Sequence, residues 1–143
     1  MNLSPHFTLE EFTRSQTAVR RGIDNTPPPE AIEAMKALCM QVLEPIRVAL
    51  GPVSISSGYR SVTLNRAIGG AAGSQHTRGE AADISVLGMD TEALYLAIKG
   101  SSIPFDQLIQ EFGQWVHISY SPSPRRQCLR AVKEGGKTVY LPD

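Results

Sequence analysis

An α+β fold is predicted by the sequence: an antiparallel sheet with helices packed on one of its faces. Three features carry that prediction. Apolar residues at helical spacing fill the first third of the chain, where Ile32, Met35, Leu38, Val42, Ile46 and Leu50 recur every three or four positions. Two-residue alternation follows in AADISV (81–86) and WVHISY (115–120). A late apolar run is split by Gly135 and Gly136, the sign of a closing hairpin. Helices early and hairpins late fit a segregated α+β arrangement better than alternating parallel units.

Taken in order, FTLEEF opens with Thr8 as a helix cap followed by Glu10 and Glu11, so a short first helix is expected. GIDNTPPPE is a loop whose prolines suit the first turn of the long helix from Glu30 onward. Pro45 should kink the end of that helix. GPVSISS reads as a turn and a strand with Val53 and Ile55 inward, and SVTLNRAI as a brief helix. The glycines of GGAAGSQHTRGE predict a loop without regular structure. In the strand after it, Ala82, Ile84 and Val86 share one face, and Ala81, Asp83 and Ser85 the other. MDTEALYLAIKG is a helix capped near Asp90 and stopped by Gly100. Two strands then meet at Gly113, the second placing Trp115, His117 and Ser119 on one face.

Length and composition bound the function. At 143 residues the chain predicts one domain, divided into a 1–29 N-terminal extension, a 30–121 core bearing the motifs, and a 122–143 C-terminal hairpin. Acidic and basic residues balance at 14 each, so no net field favours nucleic acid or an anionic membrane surface. No apolar run reaches membrane-spanning length. MNLSPHFTLEEF lacks a secretion-signal pattern, so synthesis in the cytoplasm is expected. Cys39 lies on the apolar helical stripe as a small core residue. Cys128 follows two arginines but has no histidine near it in sequence, and is expected to be unreactive. His6 is expected in a mobile N-terminus, away from any site.

The chemistry concentrates around SQHTRGEAADI (74–84). If the strands bearing Asp83 and His117 pair, both side chains emerge on the same face, and the loop bearing His76 can fold over them. Two imidazoles and one carboxylate suit a zinc ion with one coordination position open. The glycines and alanines nearby would let the loop approach the ion closely. The same spacing also fits ordinary buried histidines and a capping aspartate.

The motif Ser-x-His-x-x-Gly-x-Ala-x-Asp is carried by Ser74, His76, Gly79, Ala81 and Asp83, preceded by SGYRS (57–61) and followed by WVHIS (115–119). In that order it resembles the zinc D-Ala-D-Ala carboxypeptidase family, which includes phage endolysins that cut L-Ala-D-Glu bonds and shares its fold with the Hedgehog signalling domain. The resemblance spans about residues 30–121 and points to the small phage-related branch. It implies that His76, Asp83 and His117 bind Zn²⁺. It also implies that Arg60 holds a substrate carboxylate or the oxyanion, with Tyr59 and Ser74 beside it on the substrate. Many relatives carry a glutamate three positions before the last histidine ligand; here that position is Gln114, and the resemblance shifts the catalytic base to Glu111. Glu80, inside the motif, is expected to be solvated.

The activity so implied is zinc-dependent hydrolysis of peptide bonds in peptidoglycan, of carboxypeptidase or endopeptidase type, by a monomer. The alternative, resting on Gln114, is a zinc-containing wall-binding or structural module without turnover. Serine hydrolysis through Ser74 finds no strained Gly-x-Ser-x-Gly turn. The compact chain without a signal is expected to be phage or prophage encoded and to act on the bacterial cell wall.

Overall fold

A computed structural model describes residues 1–143. Its N-terminal residues form two short strands, β1 (Asn2–Ser4) and β2 (Phe7–Thr8), before helix α1 (Leu9–Thr13). Thr8 and Glu11 close the expected capping box, each side chain bonding the other's backbone end. A second helix, α2 (Gln16–Arg21), follows, capped by Ser15 and too short to show a helical period in the sequence. The N-terminal segment, expected to be mobile, is instead packed onto the rest of the chain. Leu3, Phe7 and Phe12 sit in the main core, and His6 bonds Glu44 through both its backbone N–H and Nδ1, the latter at 2.7 Å. These contacts tie the first 29 residues to the helices that follow.

The long helix is three segments in one: α3 (Pro29–Leu38), a π-helical stretch (Cys39–Leu43) and α4 (Glu44–Leu50). Pro45 has no N–H to complete the ladder, and the helix widens just before it, with the Glu44 N–H donating to the Cys39 carbonyl. The expected kink thus takes the form of a π turn. Ala31, Met35, Leu38, Val42 and Ile46 remain on one buried stripe across all three segments.

The main sheet combines β3 (Val53–Ser57), β4 (Ala81–Val86), β5 (Gln107–Glu111), β6 (Trp115–Ser119), β7 (Gln127–Glu134) and β8 (Lys137–Pro142) in the order β3-β4-β6-β5-β7-β8. All neighbours are antiparallel except β5 and β7, which run parallel. The connection after β6 crosses the end of β5 and lays β7 along its far side. It is held there by Arg125 side-chain donors on Asp106 and by the Arg126 N–H on the Phe105 carbonyl. Two more helices, α5 (Val62–Ala67) and α6 (Thr91–Lys99), are capped by Ser61 and Asp90.

Alternation gives the sheet two distinct faces. Ala82, Ile84, Leu108, Val116 and Ile118 enter the core beside α3 and α6. The opposite face carries Asp83, His117 and Glu111, with a small apolar group of Ile109, Leu129 and Ala131 next to them. Cys39 lies in the core and Cys128 on β7, both as free thiols.

Candidate metal centre and cleft

Three segments bring the site together. Asp83 on β4 and His117 on β6 are direct cross-strand partners, which puts both side chains on one face as two-residue alternation predicted for paired strands. His76 arrives from the loop, where the structure corrects the expectation of irregular backbone: Gln75–Arg78 form one turn of 3-10 helix. Ser74 caps that turn by accepting the His76 N–H, and Gly79 ends it at φ 74°. The glycine serves α3 rather than the ion, because a Cβ at Gly79 would overlap the Ala31 carbonyl. The loop is thereby pressed against the long helix with His76 facing Asp83.

The ligand-type atoms of His76, Asp83 and His117 all lie within 4.8 Å of one another, and all three residues are buried. Asp83 Oδ1 is 3.3 Å from His76 Nε2 and 3.2 Å from His117 Nδ1. Ligands about 2.0–2.1 Å from a tetrahedral zinc stand roughly 3.3–3.4 Å apart, so the two Asp83–histidine distances and the donor set fit this metal. His76 donates its Nδ1 proton to the Gly58 carbonyl at 2.7 Å, which leaves Nε2 as a lone pair aimed at Asp83. Burial by itself would raise the Asp83 pKa. Other effects, led by the hydrogen bond with His117, outweigh it and hold the carboxyl well below the usual range.

Arg60 projects from the segment between β3 and α5, mostly buried. Its Nε donates to Ser57 Oγ at 3.1 Å, one terminal nitrogen to Asn65 Oδ1 at 3.1 Å, and the other to Asp83 Oδ2 at 3.4 Å. It therefore grips the carboxylate oxygen that the histidines leave free. Two of its five N–H groups make no bond within the chain. Glu111, at the end of β5, places Oε1 3.9 Å from His117 Nδ1. Burial and the Asp83 charge raise its pKa above the ordinary glutamate value, against the opposing pull of His117 and Arg60. Gln114 is exposed in the turn that joins β5 to β6. In that turn both Phe112 and Gly113 have positive φ, at 60° and 69°.

Around these residues opens a cleft of about 1310 Å³. Arg60, Ser74 and Gln75 lie on one wall, and Thr138 and Tyr140 of β8 on another. Tyr59 departs from expectation. It is only 7% exposed, belongs to the core and does not line the cleft; its backbone anchors Phe12 and Asn25 instead. The adjacent Gly58 explains this, since a Cβ there would collide with Phe12 and the chain is drawn inward at that point. Glu80 is also less solvated than expected, accepting from Arg78 Nε and Gln75 Nε2.

Several cleft residues carried no signal in the sequence. Asp106 is buried and accepts from the Arg125 side chain at 2.8 and 2.9 Å and from Gln75 Nε2 at 3.0 Å. Gln75 Oε1 and Trp115 Nε1 are buried in the cleft lining without any partner. A second, more apolar cavity of about 730 Å³ lies between α1, α2 and the 25–27 loop. No histidine, cysteine or carboxylate lines it, so it holds none of the groups that hydrolysis needs.

Comparison with known proteins agrees with this geometry. The family model described as Peptidase M15 matches residues 5–119, including every residue of the metal cluster as well as Arg60 and Glu111. A zinc D-Ala-D-Ala carboxypeptidase of Streptomyces albus G is 45% identical over 47 residues, 32% of this chain. The matched stretch is 18% of that relative's length, so the chain aligns with less than a fifth of it.

Proposed function

Since the chain belongs to the Peptidase M15 family, we propose that it is a zinc-dependent metallopeptidase acting on the stem peptides or cross-links of peptidoglycan, by carboxypeptidase or endopeptidase cleavage. One observation carries the reading: two imidazole nitrogens and a carboxylate oxygen converge within 4.8 Å of one another, with a second carboxylate, Glu111, alongside.

His76 through Nε2, Asp83 through Oδ1 and His117 through Nδ1 would hold the ion. When bound, zinc supplies Lewis acidity at the attacked carbonyl. The residues of the chain do the rest. Glu111 takes the proton of the attacking water and passes it to the leaving amine. Burial raises its pKa, which makes it a stronger base than an exposed glutamate. Arg60 fixes Asp83 and turns its two remaining N–H groups to the developing oxyanion. The Ser74 hydroxyl, on the same wall, is placed to contact the peptide. The reading without turnover rests on Gln114; Glu111, 3.9 Å from His117, supports the catalytic reading over it.

The test is amide cleavage in purified peptidoglycan. Zinc-loaded protein should release new amino groups, and Glu111→Gln should slow release by roughly 10²–10⁴-fold with the fold intact. Equal release by the two proteins would remove Glu111 from its role. No release by the wild type at any pH would end the peptidase reading.

A further inference from the structure

Strands β7 and β8 lie beyond the 5–119 family match, yet they wall one side of the cleft. Register carries a straight row of residues from the metal centre into this hairpin. Glu111 pairs with Ala131, and Ala131 pairs with Tyr140. Paired positions share a face of the sheet, so Tyr140 stands on the same face as Glu111, two strands away. Between them Ala131 is only 1% exposed, and its small side chain leaves the phenol ring room to lean toward Glu111.

The Tyr140 hydroxyl makes no hydrogen bond within the chain, and half of the residue is open to the cleft and to solvent. Burial, and the nearby charges of Glu111 and Asp83, keep its proton in place, so it is a neutral donor. Three long cationic side chains around the cleft are held by partners within the chain: Arg78 by Glu80 and the Gly73 carbonyl, Arg125 by Asp106, and Lys133 by Thr138.

Resting on the peptidase reading above, we infer that Tyr140 is a substrate-contacting residue. Its phenolic O–H donates a hydrogen bond to a backbone carbonyl of the bound peptide, across the cleft from Arg60. The C-terminal hairpin then contributes to substrate binding as well as to the sheet.

Tyr140→Phe tests this, because it removes the hydroxyl and keeps the ring. On a synthetic stem peptide ending in D-Ala-D-Ala, zinc-loaded Tyr140→Phe should lose about 5- to 100-fold in kcat/KM. Its zinc content and melting temperature should match the wild type. A kcat/KM within twofold of wild type would overturn the inference and leave the peptidase reading standing. A second measurement does not depend on turnover. Trp115 is the single tryptophan and lines the cleft, so its fluorescence reports binding of the same peptide to Glu111→Gln protein. Adding Tyr140→Phe should weaken that binding several-fold. Equal binding, or none to either protein, would overturn the inference. Tight binding without any hydrolysis by the wild type would sink the peptidase reading alone.

Discussion

The Nδ1 of His76 lies 2.7 Å from the carbonyl oxygen of Gly58, eighteen positions earlier in the chain. That bond joins the 3-10 turn to the segment following β3 and dictates which ring nitrogen is free. Nitrogen-15 NMR of the metal-free protein at neutral pH should therefore show His76 as the Nδ1–H tautomer. Adding zinc should shift the Nε2 resonance and preserve the Nδ1 proton. A proton on Nε2 in the metal-free protein would contradict the orientation described here.

Metal uptake should require all three converging side chains. Wild-type protein should bind one zinc per chain and gain about 2.7 kcal/mol when the free metal is a hundred times its Kd. The check is the rise in melting temperature and its reversal by a chelator. Asp83→Ala, which removes the oxygen shared by both imidazoles, should abolish that rise and leave metal content near zero by mass spectrometry.

Gly79→Ala should be among the most damaging single substitutions in the loop. The residue would be held at φ 74° and its methyl would meet the Ala31 carbonyl, a backbone atom with little freedom to yield. A left-handed non-glycine residue costs about 1–2 kcal/mol and the overlap adds a similar amount, so about 2–4 kcal/mol should be lost in urea unfolding. Zinc affinity should fall with it, because His76 rides on the same turn.

Acid should expose the contribution of Asp106. Hydrogen bonds from Arg125 hold its pKa below the ordinary aspartate value, against the opposing effect of burial. A carboxyl with a depressed folded pKa stabilises above its unfolded value, about 3.9, and that stability is lost as pH falls through the lower folded value. Asp106→Asn should cost about 1–2 kcal/mol near neutral pH, the lower part of the range for charged hydrogen bonds, because Arg125 is largely solvent-exposed. The gap between variant and wild type should close below about pH 4 in unfolding curves taken across the acid range.

The parts of this molecule that were legible in the sequence are those governed by short-range periodicity. Alternation placed Asp83 and His117 on one face because side chains in a strand must alternate, and their pairing then brought them together. The capping box at Thr8 and the cap at Asp90 were equally local. Features set by distant contacts were not legible. The parallel pairing of β5 with β7 depends on Asp106 gripping Arg125, and nothing in the connecting segment announces it. Strands of two or three residues, such as β1 and β2, are too short to show a period. Tyr59 follows its neighbours in the motif but turns inward, because Gly58 lets the chain press against Phe12. Tyr140 lies in an unremarkable run of alternating residues, and only the strand register connects it with Glu111.

The two cysteines bear on how the fold responds to redox conditions. Cys39 is sealed inside the π segment with its thiol pushed up to about 12, and Cys128, half-buried on β7, is raised as well by desolvation. Neither is a ready thiolate, and the fold contains no cross-link that an oxidant must form or a reductant could break. Mild oxidants and reductants should then leave its unfolding curve unchanged.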